Sequence, residues 1–213
     1  MEPIRSHRAP GPPPRNGAGP APLRHRGPPI YPPREDSWLL LPFANVPPGT
    51  RFLEVGTGSG VAALTAAHGR ANVVATDLNP FALRELRARA RGEGVHLEVV
   101  RTDLARGLGR FDRIVANPPY LPTRPEERDP DRWHNLALDG GPDGCRVTAR
   151  LVGELDCHLT SGGEAFVLTS TRQDPDALAR VRSGWVSRGG TVEVVASRAL
   201  EGERLEVWRL RLA

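Results

Sequence analysis

At 213 residues the chain has ample length for one domain with a sizeable core, and its 29 basic residues, all arginine, stand against 25 acids for a net charge of +4. No apolar run approaches the ~20 residues that span a bilayer, and the Pro- and Arg-rich start has no apolar segment of a secretory signal, so a cytoplasmic protein is predicted. Residues 1–29 hold five arginines against Glu2 alone, which leaves 24 arginines and 24 acids in residues 30–213, a balance that does not require a nucleic-acid groove.

Residues 1–29 are dense in Pro and Gly and poor in apolar side chains, and are predicted to form a disordered tail ahead of one domain over 30–213. Glu35, Asp36 and Ser37 precede the apolar Trp38-Leu39-Leu40-Leu41, which predicts a helix start capped by Asp36 or Ser37. Arg51 to Val55 reads as a strand that runs into Gly56-Thr57-Gly58-Ser59-Gly60 and an alanine-rich helix over about 61–69. A second strand, Asn72 to Thr76, ends in Asp77, and a helix follows from Pro80 through Ala90. Third and fourth strands are expected over Val95 to Val100, before Asp103-Leu104, and over Phe111 to Ala116.

Residues 117–141 read as a long polar loop without apolar periodicity, of the kind more often functional than decorative. Beyond it a helix over about 143–159, a strand from Glu164 to Ser170, a helix from Pro175 and two final strands complete the chain. Cys145 and Cys157 lack metal-ligand spacing and read as reduced thiols. The alternation predicts an α/β fold: a seven-stranded, mostly parallel sheet with an antiparallel last strand and helices on both faces.

In such sheets ligands bind beyond the carboxyl ends of the strands. The fourth strand stops at Asn117-Pro118-Pro119-Tyr120, where two prolines cannot continue a ladder. The stiff chain there would project the Asn117 side chain and the Pro118 carbonyl at fixed angles beside an aromatic ring, a clamp for a planar amide or amino group. The glycines fall as Gly56-x-Gly58-x-Gly60, not as a dinucleotide fingerprint, and Glu54 just upstream would repel a pyrophosphate. Asp77 suits ribose hydroxyls and Asp103 an adenine amino group. An adenosyl ligand with a cationic sulfonium, S-adenosylmethionine, satisfies the set.

These motifs resemble those of the class I methyltransferases and, more narrowly, of the HemK-type protein-(glutamine-N5) methyltransferases. The resemblance covers roughly 30–213. It rests on Glu54 to Gly60, Asp77-Leu78-Asn79-Pro80, Asn117-Pro118-Pro119-Tyr120 and Leu136-Ala137-Leu138-Asp139-Gly140-Gly141-Pro142-Asp143-Gly144. Asn-Pro-Pro-Tyr alone is shared with enzymes that methylate adenine or guanine amino groups in DNA or RNA, and the Ala137 to Gly144 stretch favours the glutamine branch. Tyr31-Pro32-Pro33-Arg34-Glu35-Asp36-Ser37 resembles the shorter archaeal and eukaryotic forms.

The resemblance implies that Ser37, Glu54, Gly56, Gly58, Asp77, Asp103, Leu104 and Asn117 hold the cofactor. It further implies that Asn117, Pro118 and Tyr120 form the catalytic clamp, without a metal. A translation release factor is the implied protein substrate and a small activator protein an implied partner. A nucleic-acid amino-methyltransferase is the alternative enzyme, and a non-catalytic cofactor-binding scaffold the alternative class.

Overall fold

A computed structural model describes residue 30 and residues 32–212; the expected tail and Tyr31 lie outside the described residues. In chain order the elements are α1 (Glu35–Leu40), β1 (Arg51–Val55), α2 (Val61–His68), β2 (Asn72–Asp77), α3 (Pro80–Gly92), β3 (Glu98–Arg101) and β4 (Phe111–Ala116). Then come α4 (Arg132–Leu138), α5 (Arg146–His158), β5 (Leu159–Ser170), α6 (Pro175–Val186), β6 (Gly190–Leu200) and β7 (Glu203–Leu212). The sheet order is β3-β2-β1-β4-β5-β7-β6. Strand β7 inserts antiparallel between β5 and β6, while β1 to β5 pair in parallel, as the strand-strand ending of the chain predicts.

Alternation along each buried strand divides the core into two layers. Phe52, Val73, Ala75 and Val115 face Leu40 of α1, Ala63 and Ala66 of α2 and Leu86 of α3. Leu53, Val55, Ile114 and Val167 face the other way, onto Leu151 and Leu155 of α5 and onto Trp185 of α6. The small α2 residues let that helix lie close over β1, beneath the glycine loop.

Four expectations need correction. The N-cap of α1 is Arg34, which makes no side-chain capping bond, so neither Asp36 nor Ser37 is the cap. Strand β3 begins at Glu98 rather than Val95, because the Val95 N–H closes the end of α3 by donating to the Ala90 carbonyl. The 117–141 segment is not structureless: Pro125–Glu127 forms a 3-10 turn, and α4 follows, capped by Asp131, whose side chain accepts the Trp133 N–H at 2.9 Å. Strand β5 starts at Leu159, with an irregularity in its pairing to β4 that accommodates Gly162 and Gly163 inside the strand.

Gly60 caps α2 in the left-handed conformation (φ 74°), and a Cβ there would come within 2.4 Å of Leu86 Cδ1. Both the backbone and the packing therefore require glycine. Gly60→Ala is expected to lower stability by about 2–4 kcal/mol, from left-handed strain and overpacking together, as measured by urea denaturation.

Candidate active site

Strand β1 lies between β2 and β4, with Glu54 level with Ala75 on one side and Val115 on the other. Two residues further along those neighbours stand Asp77 and Asn117. Alternate residues share a face, so all three side chains project from the face that carries α1 and α2. They meet at the carboxyl ends of the strands, where the strand order reverses between β1 and β4.

Glu54 is 8% exposed. One of its oxygens accepts both the Thr57 hydroxyl at 2.5 Å and the Ala63 N–H at 2.9 Å, so it sits against the first turn of α2. Burial pushes its carboxyl up to about 7, against the pull of those hydrogen bonds and with a small contribution from Asp77. The Asp77 carboxylate takes the Gly58 N–H at 2.9 Å and the Asn79 N–H at 2.8 Å, and burial raises its pKa as well. Asp77 thus holds the glycine loop through Gly58, while Gly56 stands at its exposed mouth. Neither acid has a basic ion-pair partner among the described residues. Two desolvated carboxyls without a cation form a site poised to receive positive charge.

Asn117 Nδ2 donates to Asp36 Oδ2 at 3.0 Å, while Asn117 Oδ1 is buried and has no hydrogen-bond partner among the described residues. Pro118 is buried and Tyr120 half-buried, its ring packed against the α2-side core. Ser37 lies beside this group, with its N–H and hydroxyl both directed to Asp36 Oδ1.

The chain leaving Tyr120 is zipped to the Asp139-Gly140-Gly141 stretch by three backbone hydrogen bonds: Leu121 to Leu138, Gly140 to Leu121 and Thr123 to Gly141. Asp139 anchors that stretch through Arg128 at 3.0 Å, Arg146 at 3.1 Å and the Gly141 N–H. Burial opposes its ionisation, yet the Gly141 amide and the two guanidiniums outweigh it and hold the pKa below the ordinary carboxylate value. Gly144 lies so close to the Tyr120 carbonyl that a Cβ would come within 2.5 Å, and the buried Gln173 carboxamide donates to both the Gly144 carbonyl and Thr148. The motif from Ala137 to Gly144 therefore serves as the brace of the clamp.

Asp103 and Leu104 follow β3. Asp103 is half-buried and paired to Arg150 at 2.6 Å, and Leu104 is a non-glycine residue at positive φ (53°) packed on the α5-side core. His134 is exposed on α4 and bound to Asp129, a surface residue as loop position suggests. Sequence reasoning missed Asp36 as a partner of Asn117, although its i,i+4 relation to the buried Leu40 marks it as facing the sheet. It also missed Thr57, Gln173 and the edge contact of Trp133 on Phe81 (5.8 Å between ring centres), which ties α4 to the start of α3.

The family model of the methyltransferase small domain matches residues 35–135. Methyltransferase HEMK2 of Mus musculus is 36% identical over 162 residues, covering 70% of this chain and 75% of that protein. The chain belongs to the HemK-type glutamine methyltransferase family. The release factor glutamine methyltransferase of Deinococcus radiodurans is 42% identical over 142 residues; the match covers 63% of this chain and spans about half (51%) of that protein's length. Among solved structures, the E. cuniculi Mtq2-Trm112 complex, responsible for methylation of the eRF1 translation termination factor, contains a chain similar at a TM-score of 0.65. That chain is 26% identical, and the match covers 86% of this chain and 99% of that one. Within this family frame, no helix among the described residues is long and apolar enough to cross a membrane.

The raised pKa of Glu54 carries a sign. Its folded value lies above its unfolded one, so its contribution to stability is fully present below about pH 4.5 and is lost as pH rises through about 7. Relative to Glu54→Gln, the ligand-free wild type is expected to lose on the order of 3 kcal/mol of unfolding free energy from about pH 4.5 to about pH 8. Denaturant titrations across that range check it, and parallel profiles for the two proteins would contradict it.

Proposed function

We propose that the chain transfers a methyl group from S-adenosylmethionine to the side-chain amide nitrogen of a glutamine in a translation release factor. The observation that carries this reading is Asn117 Oδ1, an acceptor shut away from water and left without a partner among the described residues at the end of β4. A buried unmet acceptor costs about 1–3 kcal/mol, a cost that is relieved when an N–H enters with the substrate.

The residues present fit the cofactor. Glu54 is buried and Asp77 half-buried and partly desolvated, neither with a basic ion-pair partner among the described residues, and the pair suits a cationic ligand that also carries a diol. Ser37, Gly56, Gly58, Asp103, Leu104 and Asn117 complete the set that would hold it. S-adenosylmethionine supplies an electrophilic methyl group.

The chain's own task is to present the nitrogen. An amide nitrogen is a poor nucleophile because its lone pair is delocalised into the carbonyl. Asn117 Oδ1 and the Pro118 carbonyl accept its two hydrogens and fix its direction, and Tyr120 covers it and excludes water. Such catalysis by orientation has up to ~7–11 kcal/mol to draw on in well-aligned systems. The family's release-factor and eRF1 methyltransferases support the substrate assignment, and the Mtq2-Trm112 pairing supports a small protein partner.

Asn117→Ala is expected to lower kcat at least about a hundredfold with a much smaller, few-fold rise in the Kd for cofactor, because the transition-state clamp is lost together with only one of several cofactor contacts. The assay uses purified chain, with and without a Trm112-type partner, labelled cofactor, and a panel of release factor, DNA and RNA. Label in the glutamine of a Gly-Gly-Gln loop is the expected result. Label confined to nucleic acid, or full turnover by Asn117→Ala, would overturn the reading.

A further inference from the structure

We propose that Asp36 is a positioning residue that fixes which end of the Asn117 carboxamide meets the substrate, and so makes the clamp an acceptor of N–H groups only. The inference rests on the glutamine reading above and deepens it. Asp36 is 4% exposed, in the first turn of α1, yet it does not cap that helix. One oxygen takes the Ser37 N–H at 2.6 Å and its hydroxyl at 3.3 Å, and the other takes Asn117 Nδ2 at 3.0 Å from 81 residues away in sequence.

The two ends of a carboxamide have nearly the same shape, so their orientation is decided by their partners. An ionised carboxylate can only accept, whereas a carboxamide offers both a donor and an acceptor. Facing Asp36, Asn117 must turn its NH2 towards the carboxylate, and Oδ1 is the atom left over, buried and unpartnered among the described residues. The charged partner also polarises the amide and strengthens Oδ1 as an acceptor. A glutamine amide brings N–H donors to that atom. A glutamate carboxylate would set lone pair against lone pair, so the same hydrogen bond discriminates glutamine from glutamate.

Asp36→Asn keeps the size and can still accept the Ser37 N–H, but it no longer dictates the orientation of Asn117. Two readouts on the full chain test the proposal. In the 15N spectrum of side-chain amides, the Asn117 NH2 pair is identified by its absence in Asn117→Ala. In Asp36→Asn that pair is expected to move upfield and to exchange faster with solvent. In turnover on a recombinant release factor, Asp36→Asn and Asp36→Ala are expected to lose about 10–100-fold in kcat, the worth of one charge-assisted hydrogen bond. The KM for release factor and the Kd for cofactor should stay within about threefold, as expected for an interaction that serves the transition state.

An unmoved Asn117 pair overturns the proposal, as does an unchanged kcat. A kcat loss matched by equal loss of cofactor affinity, or by a fall in melting temperature of both variants below the assay temperature, also overturns it, since a merely structural role would give that pattern. No transfer by the wild-type chain to any glutamine substrate would instead overturn the glutamine reading, and is recognised by the wild-type arm alone.

Discussion

The rest of the site depends on the abrupt end of β4. Pro118 and Pro119 have no N–H to donate, so the ladder with β1 and β5 stops at Ala116 and the chain must leave the sheet. A strand end so freed would be mobile unless its continuation were held elsewhere. It is held twice. Leu121 and Thr123 pair with the Leu138 to Gly141 segment, itself fastened by Asp139 between two arginines, and Gly144 packs directly on the Tyr120 carbonyl under the fully bonded Gln173 side chain. From the other side α1 brings Asp36 to Asn117. The 3-10 turn after α1 is fixed to the sheet by Phe43 stacked on Phe166 at 4.4 Å and by Arg113 donating to the Phe43 carbonyl. The clamp is therefore positioned by contacts drawn from α1, β4, the α4 segment and the turns that precede α5 and α6.

How far the sequence is legible follows from the range of the interactions involved. Strands β1, β2 and β4 are bounded by local signals, glycines, an aspartate and a proline pair, and they appear where those signals place them. The parallel pairing of β1 to β5 follows from alternating strands and helices, and the antiparallel insertion of β7 from the missing last helix. Asp36 is different: its neighbours Glu35 and Ser37 and its place before an apolar run imitate a cap, and only the tertiary approach of β4 shows its carboxylate turned to Asn117. Val95 is apolar enough to pass for a strand residue, but its N–H is used to finish α3. Helix α4 is too short to show periodicity, and its one sequence signal, the cap Asp131, lies in a run of charged residues that reads as loop. Asp139 belongs to a recognisable motif, yet its physical role as a brace depends on Arg128 and Arg146, neither of which the motif names.

The same geometry explains why the ligand-free site carries unfavourable burial and why the fold tolerates it. The interior layers on both faces of the sheet are filled by aliphatic and aromatic side chains, but at the strand ends the packing gives way to buried acids and an unmet carboxamide oxygen. Each of those groups disfavours the ligand-free fold: Glu54 because its charge is desolvated, Asn117 Oδ1 because it has lost water without gaining a donor. A cation beside Glu54 and Asp77 and an N–H at Asn117 would relieve both costs at once. Under the proposed function, binding energy is then available where the reacting nitrogen and its methyl source would meet, and a site arranged in this way gains most from ligands that bring both kinds of charge distribution together.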